Sequence, residues 1–374
     1  MLLSKQLYNH LLEKSQQHFK DTGKTFTKYD MIKWTAKFKN EHPEYNEVYS
    51  QVLQNVSDRV SKAYKNFFRR VKEKRNGKKQ KVGFPRFKSF VSSLTYPQSG
   101  FKIEKKRINL SKIGKVNFVN HRNIEGEVKT VSIKKTKSEE WYITIAVENE
   151  DITPFTNGKN AVGIDLGIKN YATLSDGLIF QNKHISKQQR NTLKRLQKKI
   201  SRRKKGSSNR KKAVHRFARY SEHISRVRED HLHKLSYGLV NSYSFIAYEE
   251  LKIANMVKSH NLAKSISESS WGSFINYLQY KAESAGCVVV SVNPKDTSKT
   301  CSECGNVQDI TLSERTFHCQ KCGMSKDRDL NASINILKRA TEGHSGSRAF
   351  GDIVRPSHMK ADVVELGTIF GVSR

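Results

Sequence analysis

The sequence predicts an α/β protein with two regions in front of it. An all-α segment comes first, a small antiparallel β-barrel or sandwich second, and a larger α/β domain carrying a cysteine-rich insert third. Three observations support this order. Apolar residues recur at three- to four-residue steps late in the first 78 residues, strict alternation replaces that period between about 80 and 150, and buried strand-like runs alternate with helical runs from about 156 onward. At 374 residues the chain is long enough for two or three domains with sizeable cores.

In residues 1–78, Val48, Val52, Val56, Val60, Phe67 and Val71 fall on one face of a long helix, and the basic run "FFRRVKEKRNGKKQK" leads out of it into a linker. Residues 79–155 hold the short β-rich runs "GKVNFV", "VKTVSI" and "WYITIAVE". In the last, Trp141, Ile143, Ile145 and Val147 alternate with Tyr142, Thr144 and Ala146, the two-residue period of a half-buried strand. The α/β region spans 156–342. "AVGIDLG" reads as a buried strand, "YATLSDG" as a second strand closing on an Asp-Gly turn, and "FIAYEEL" and "CVVVSV" as two more; "SWGSFINYLQYKAESAG" is a helix stopped by Gly286. Between 185 and 235 two helical patterns flank a Gly-Ser-Ser-Asn break. Leu193, Leu196 and Ile200 mark one apolar seam, and Val214, Phe217, Ile224 and Val227 the other. Residues 343–374 read as a C-terminal tail.

Charge narrows the partner. Sixty-nine Lys and Arg against thirty-five Asp and Glu leave a formal charge of +34. So large an excess repels itself unless a polyanion neutralises it, and nucleic acid is the partner this implies. The candidate contacts are Lys194, Arg195, Lys198, Arg202, Arg203, Lys211 and Arg216 on the hairpin, with Arg86 and Lys88 in the basic linker. A solvated charged hairpin is the plainer reading of those helices, but acids that would balance them are nearly absent until Glu222. No apolar run approaches ~18 residues, and the mixed helical start is not a signal peptide; no membrane partner and a cytoplasmic, nucleoid-associated location are expected.

Four of the five cysteines form two pairs, Cys301-x-x-Cys304 and Cys319-x-x-Cys322, each followed by glycine. Those glycines let the backbone turn so that amide N–H groups face the sulfurs, and four thiolates at ~2.3 Å make a closed tetrahedral zinc site. The spacing predicts a structural zinc ribbon over 296–326, with a redox pair as the alternative. Cys287, at the head of "CVVVSV", reads as a buried strand residue.

The catalytic candidates are carboxylates. Asp165 follows "AVGI" inside or at the end of a buried strand, Glu249 and Glu250 follow "FIAY", and Asp327 and Asp329 precede the helical run "LNASINIL". Taken alone, Asp329 reads equally as a helix N-cap and Glu249 or Glu250 as a strand-end surface residue. Together, acids at the ends of core elements are what two Mg²⁺ ions require, namely hard oxygen ligands held rigidly.

The ordered set "GIDLGIKNYATLSDG", "YEELKIANM", "TSKTCSECG", "CQKCG" and "DRDLNASINIL" closely resembles the transposon-encoded TnpB family, relatives of the type V CRISPR effector nucleases; "GFPRFKS", "INLSKIGKVNF" and "ELGT" extend the likeness over essentially the whole chain. The resemblance implies an RNase H-like RuvC nuclease domain with an inserted zinc ribbon, preceded by a helical recognition region and a wedge-type β-barrel. It implies an RNA-guided DNA endonuclease with guide RNA from the transposon end, acting on double-stranded and displaced single-stranded DNA. By position, Asp165, Glu249 and Asp329 match the family's catalytic Mg²⁺ ligands, with Asp327 the alternative third ligand, and Cys301, Cys304, Cys319 and Cys322 match its zinc ligands. Family members usually open with a "YRLYP"-like strand some 30 residues before the "LYNHLLE"-like helix, so the barrel here is expected to lack its first strand.

Overall fold

The computed structural model describes residues 1–77, 81–121, 123–148, 160–183, 185–258, 262–311 and 313–342, and the backbone of 363–369. The chain forms two compact units, Met1–Glu150 with Lys360–Arg374, and Asp151–Met359.

In the first unit, helices α1 (Leu2–Thr22), α2 (Lys28–Glu41) and α3 (Ser50–Arg75) bury Leu7, Leu11, Met31, Leu53 and Val60 in a common core. Thr27 and Asp30 form a reciprocal capping box that starts α2. Strands β1 (Ser93–Pro97), β2 (Phe101–Glu104), β3 (Arg107–Leu110), β4 (Gly114–Asn117), β5 (Glu127–Lys135) and β6 (Trp141–Glu148) follow. In β6 the predicted alternation holds, with Ile143, Ile145 and Val147 buried. Two points depart from the sequence reading. The ladders among the described residues form a three-stranded sheet, β2-β3-β4, and a four-stranded one, not one continuous barrel ring. The fourth strand of the latter, Val363–Ile369, pairs antiparallel with β6 and comes from the segment read as a tail. The rest of 343–374 lies outside the described residues.

The second unit is built on a five-stranded mixed sheet. Its elements are β7 (Ala161–Leu166), β8 (Asn170–Leu174), β9 (Ile179–Gln181), α4 (Lys187–Ser201), α5 (Ser208–Ser242), β10 (Phe245–Glu249), α6 (Ile253–Met256), α7 (Ala263–Ser269), α8 (Trp271–Ala285), β11 (Val288–Val292), β12 (Thr316–His318), β13 (Ser325–Asp327) and α9 (Arg328–Glu342). The order is β11-β10-β7-β8-β9; β7, β10 and β11 run parallel, while β8 is antiparallel to both its neighbours. The chain therefore leaves β7 on one side and returns on the other, which makes the gap between β7 and β10 a topological switch point.

The pleat sends alternate residues to opposite faces. Val162, Ile164 and Leu166 of β7, with Ile246 and Tyr248 of β10, pack against Leu232, Leu239, Phe274 and Leu278 of α5 and α8. Phe245 and Ala247 face the other way, onto Ile336 and Ala340 of α9. Gly163 lies on that second face, and α9 crosses it so closely that a Cβ there would sit 2.1 Å from the Ser333 carbonyl oxygen. Only glycine admits this approach.

The hairpin forms as α4 and α5. Ile224 is buried and Leu193, Leu196, Ile200 and Phe217 are half-buried, but Val214 and Val227 are exposed and do not belong to the seam; Ala213 is buried there instead. Helical spacing alone left these two valines near the edge of the stripe, and the short α4 covers only part of α5. Cys287 is buried as predicted, but it stands one residue before β11 and not within the strand.

Candidate functional site: a carboxylate cluster beside a cysteine knuckle

Asp165 belongs to β7 and Glu249 closes β10. Ile164 pairs with Tyr248, so these next residues occupy equivalent positions on adjacent parallel strands and share a face of the sheet. That face is the one α9 covers, and Asp329 enters from the first turn of α9, one helical turn before Ser333. The three acids predicted from distant parts of the sequence therefore meet at the carboxyl end of the parallel strands, at the switch point.

Their electrostatics match this placement. Burial first, then the charges of Glu249 and Asp329, push the Asp165 carboxyl well above the ordinary carboxylate range; the Arg328 guanidinium opposes them. Burial also raises Glu249, countered by a hydrogen bond from the Thr297 hydroxyl and by the Arg339 guanidinium. Arg328 reaches Asp329 Oδ1 with Nη2 at 3.3 Å, a cation held beside a crowd of anions. Glu250 is exposed, and its N–H donates to the Val292 carbonyl at 3.0 Å. The pleat thus chooses Glu249 over Glu250 for the cluster.

The N-cap reading of Asp329 belongs to its neighbour. Asp327 Oδ1 accepts from the N–H groups of Asp329 at 2.9 Å and Leu330 at 3.1 Å, which makes Asp327 the cap of α9 and leaves the Asp329 side chain free of that duty. Asp327 still faces Asp165 closely enough to raise its proton affinity.

The cysteines form two matching knuckles. In the first, Cys301 N–H donates to the Asn306 carbonyl at 2.8 Å and Gly305 N–H to the Cys301 carbonyl at 3.0 Å; in the second, Cys319 donates to Met324 and Gly323 to Cys319 at the same 2.8 and 3.0 Å. Gly305 and Gly323 take φ of 74° and 72°, the left-handed turn the motif needs. Backbone N–H groups of Cys322 and Lys321 face the Cys319 sulfur and lower its thiol to about 6, favouring the thiolate a metal binds. All four sulfurs lie within 4.8 Å of one another, with Cys301–Cys322 at 3.7 Å and Cys304–Cys319 at 3.6 Å. A tetrahedron of ~2.3 Å bonds requires sulfurs about 3.8 Å apart, so the donor set and its geometry fit zinc. Among the described residues this is the only group of three or more such ligands drawn so tightly.

Three residues that the sequence reading passed over join these two groups. Asn331 Nδ2 donates to the Thr300 carbonyl at 2.8 Å while its Oδ1 accepts from Ser302 N–H at 2.9 Å. Asn335 Nδ2 donates to the carbonyls of Thr297 and Thr300 at 2.9 and 2.7 Å. Arg339 donates to the Asn293 carbonyl at 3.2 Å. The signal available in the sequence was the pair of Asn four residues apart on the apolar face of "LNASINIL", where a buried amide needs partners.

Most of the predicted nucleic-acid residues are solvent-exposed. On the hairpin Lys194, Arg195, Lys198, Arg202, Lys211 and Arg216 are exposed and Arg203 is half-buried. All but Lys211 line a cleft of about 1020 Å³ along α4. In the first unit Arg86 is exposed; Lys88 is pinned by paired bonds between its backbone and the Asn9 side chain, at 2.7 and 2.9 Å, with its ammonium 4.7 Å from the centre of the Tyr8 ring.

Comparison with known proteins places the chain. Residues 144–260, which include Asp165 and Glu249, match the OrfB/IS605 family model described as "Probable transposase", and residues 271–336, which include the four cysteines and Asp329, match the "Cas12f1-like, TNB domain" model. The chain is 32% identical over 353 residues to a protein of Escherichia coli K12 named "Putative RNA-guided DNA endonuclease InsQ", an alignment covering 88% of this chain and 85% of that one. The chain belongs to the TnpB family. A second TnpB-family relative, from Streptomyces pristinaespiralis and also named as an RNA-guided DNA endonuclease, is 33% identical over 83% of this chain and 75% of its own. Among solved structures the fold is similar to that in "Cryo-EM structure of the Cas12f1-sgRNA-target DNA complex", with a TM-score of 0.57 at 15% identity, over 90% of this chain and 80% of that one. Among the described residues, no helix of this TnpB-family chain is long and apolar enough to cross a membrane.

Proposed function

We propose that this TnpB-family protein is a guide-RNA-directed DNA endonuclease that hydrolyses phosphodiesters at Asp165, Glu249 and Asp329. The observation that carries the reading is the meeting of these three acids on one face of the sheet, at its switch point, with the Asp165 carboxyl raised by burial first and then by the charges of the other two. The names of its relatives, RNA-guided DNA endonucleases matched over most of the chain, support the same activity.

In this reading the mixed sheet with α9 is the RNase H-like RuvC core, Cys301, Cys304, Cys319 and Cys322 hold a structural zinc in a ribbon, and the sheets of the first unit act as the wedge that grips the guide. Three half-buried carboxylates are the hard oxygen donors that Mg²⁺ takes, so the residues present fit that ion. Bound there, Mg²⁺ supplies a nucleophilic hydroxide and stabilises the departing oxygen. The protein's own part is to fix the carboxylates on rigid elements, to balance their charge with Arg328 and Arg339, and to hold phosphates against Lys194 to Arg216 and Arg86 to Lys88. Base pairing by the guide reads the sequence while these cations read only the backbone, so affinity falls steeply with salt.

The test is to express the gene with its downstream flank, sequence the RNA that co-purifies, and assay matched DNA with Mg²⁺. A uniform RNA with cuts at matched sites is the expected result. Asp165→Ala keeps the RNA and loses the cuts; loss of both would make the acids structural and overturn the assignment.

A further inference from the structure

The segment that follows β11 and leads into the first knuckle passes beside Glu249 of the acid cluster. Glu249 pairs with Val292, the last residue of β11, so the chain enters this segment beside the carboxylate. Asp296 then takes a left-handed φ of 60°, and a tight turn follows in which Lys299 and Thr300 N–H groups and the Thr300 hydroxyl all donate to the Asp296 carbonyl. The turn presents the Thr297 hydroxyl to Glu249 Oε1, with the Pro294 carbonyl as its other acceptor at 3.3 Å. Thr297 is 3% exposed, so this hydroxyl does not exchange freely with water.

The turn is held from below by α9. Asn335, 5% exposed, places both amide hydrogens on the Thr297 and Thr300 carbonyls, and the fully buried Asn331 grips Thr300 and Ser302. Lys338 adds a bond to the Ser302 carbonyl. Thr300 to Ser302 is the root of the first knuckle, and Asn331 stands two residues after Asp329 on the same helix. One continuous set of hydrogen bonds therefore runs from Glu249 through Thr297 and Asn335 to the helix that carries Asp329, and through Thr300 and Asn331 to the cysteine ribbon.

We propose that Thr297 is the positioning residue for Glu249, fixed in turn by Asn335, so that the ribbon root sets the orientation of one carboxylate of the nuclease site. A Glu side chain at a strand end has three rotatable bonds; a donor rigidly held on one oxygen restricts that freedom and leaves the other oxygen available to a metal. Partners of this kind typically alter metal affinity or activity 10- to 100-fold when removed. The inference rests on the reading of the three acids as a divalent-metal site.

Both can be tested together on the full-length protein with its guide RNA. Mn²⁺ binding is measured by titration calorimetry, alongside the Mg²⁺ concentration that gives half-maximal cleavage. Thr297→Val is expected to weaken Mn²⁺ binding and raise the Mg²⁺ requirement about 10-fold or more, with guide RNA retention unchanged, and Thr297→Ser to restore both within about 2-fold. Placed on a Glu249→Gln background, Thr297→Val adds no further loss, because its effect passes through that carboxylate. Thr297→Ala removes the same hydroxyl and serves if the valine form does not fold. Unchanged Mn²⁺ affinity in the valine or alanine variant, while Asp165→Ala abolishes Mn²⁺ binding, would overturn the role of Thr297 and leave the metal site standing. If Asp165→Ala leaves Mn²⁺ binding intact, the metal-site reading itself falls.

Discussion

The four cysteines lie between 301 and 322, in two knuckles that repeat bond for bond, whereas the three carboxylates come from a strand, a strand end and a helix start at 165, 249 and 329. Local chain geometry is enough to bring each pair of thiols together; the β12–β13 hairpin carries the second knuckle, Gln308 bonds to His318 and Gln320 beside it, and the four sulfurs close within 4.8 Å. Nothing local can bring the carboxylates together. They meet because β7 and β10 are parallel neighbours in register, and because Gly163 lets α9 lie flat across them. A locally closed site tolerates change elsewhere in the fold; a site assembled by packing inherits every error in that packing.

This contrast orders what substitutions should do. Asp165→Ala removes the most buried carboxylate of the cluster, and with several kcal/mol of metal-derived stabilisation lost, cleavage is expected to fall about 10³-fold or more, read in single-turnover assays on matched DNA. Cys301→Ser breaks the locally closed site. Zinc content should drop toward zero and amide exchange should quicken over β12 and β13; through the Thr300–Asn335 bonds, cleavage should fall about 10- to 100-fold. If cleavage by this zinc-free variant is normal, the ribbon and the acids are independent and the bonds between them are incidental.

Gly163→Ala tests the packing side of the comparison without touching a ligand. A methyl 2.1 Å from the Ser333 carbonyl must push α9 off the sheet, at a cost of about 1–3 kcal/mol in urea unfolding, and Asp329 moves with the helix. Cleavage should decline more than stability alone explains. Tolerance of alanine here would mean that α9 does not set the position of Asp329.

The smallest effect concerns the charge that the cluster stores. In EDTA, Asp165 ionises in the unfolded chain near pH 4 but holds its proton to higher pH in the fold, because burial and Glu249 disfavour its charge. Its contribution to stability is therefore complete below the unfolded value and is lost as pH rises through the raised folded value. Metal-free melting temperature should fall as pH climbs above the carboxylate range. Asp165→Asn should flatten that fall and raise the melting temperature near neutrality by about 2–4 °C, the shift that ~1 kcal/mol produces in a domain of this size.

The legible parts of the site were those where one residue type at one spacing has few physical uses. C-x-x-C-G given twice reads as a knuckle pair, and an aspartate inside an apolar strand reads as functional because burial would otherwise exclude it. Choices between neighbours were not legible. Glu249 and Glu250 are chemically alike, and only the pleat, which sends Phe245 and Ala247 to the α9 face, carries Glu249 there with them. Asp327 and Asp329 both precede a helix, and the backbone bonds made by Asp327 assign it the cap. Thr297 opens the quoted run "TSKTCSECG" but nothing in that run assigned it a role, since a loop threonine becomes informative only when its one hydroxyl is seen against a carboxylate.

By itself the amino-acid order determined most element types, the four-cysteine cluster, the cationic hairpin and the pool of acids from which a site could be drawn, because periodicity, ligand spacing and charge are properties of neighbours along the chain. Tertiary structure decided which acids converge, that the C-terminal strand returns to β6, and that two buried asparagines lash the ribbon to the helix bearing Asp329. Those outcomes depend on strand register, close backbone approach and the pairing of buried amides. All three are contacts between residues far apart in sequence, and local pattern carries no information about them.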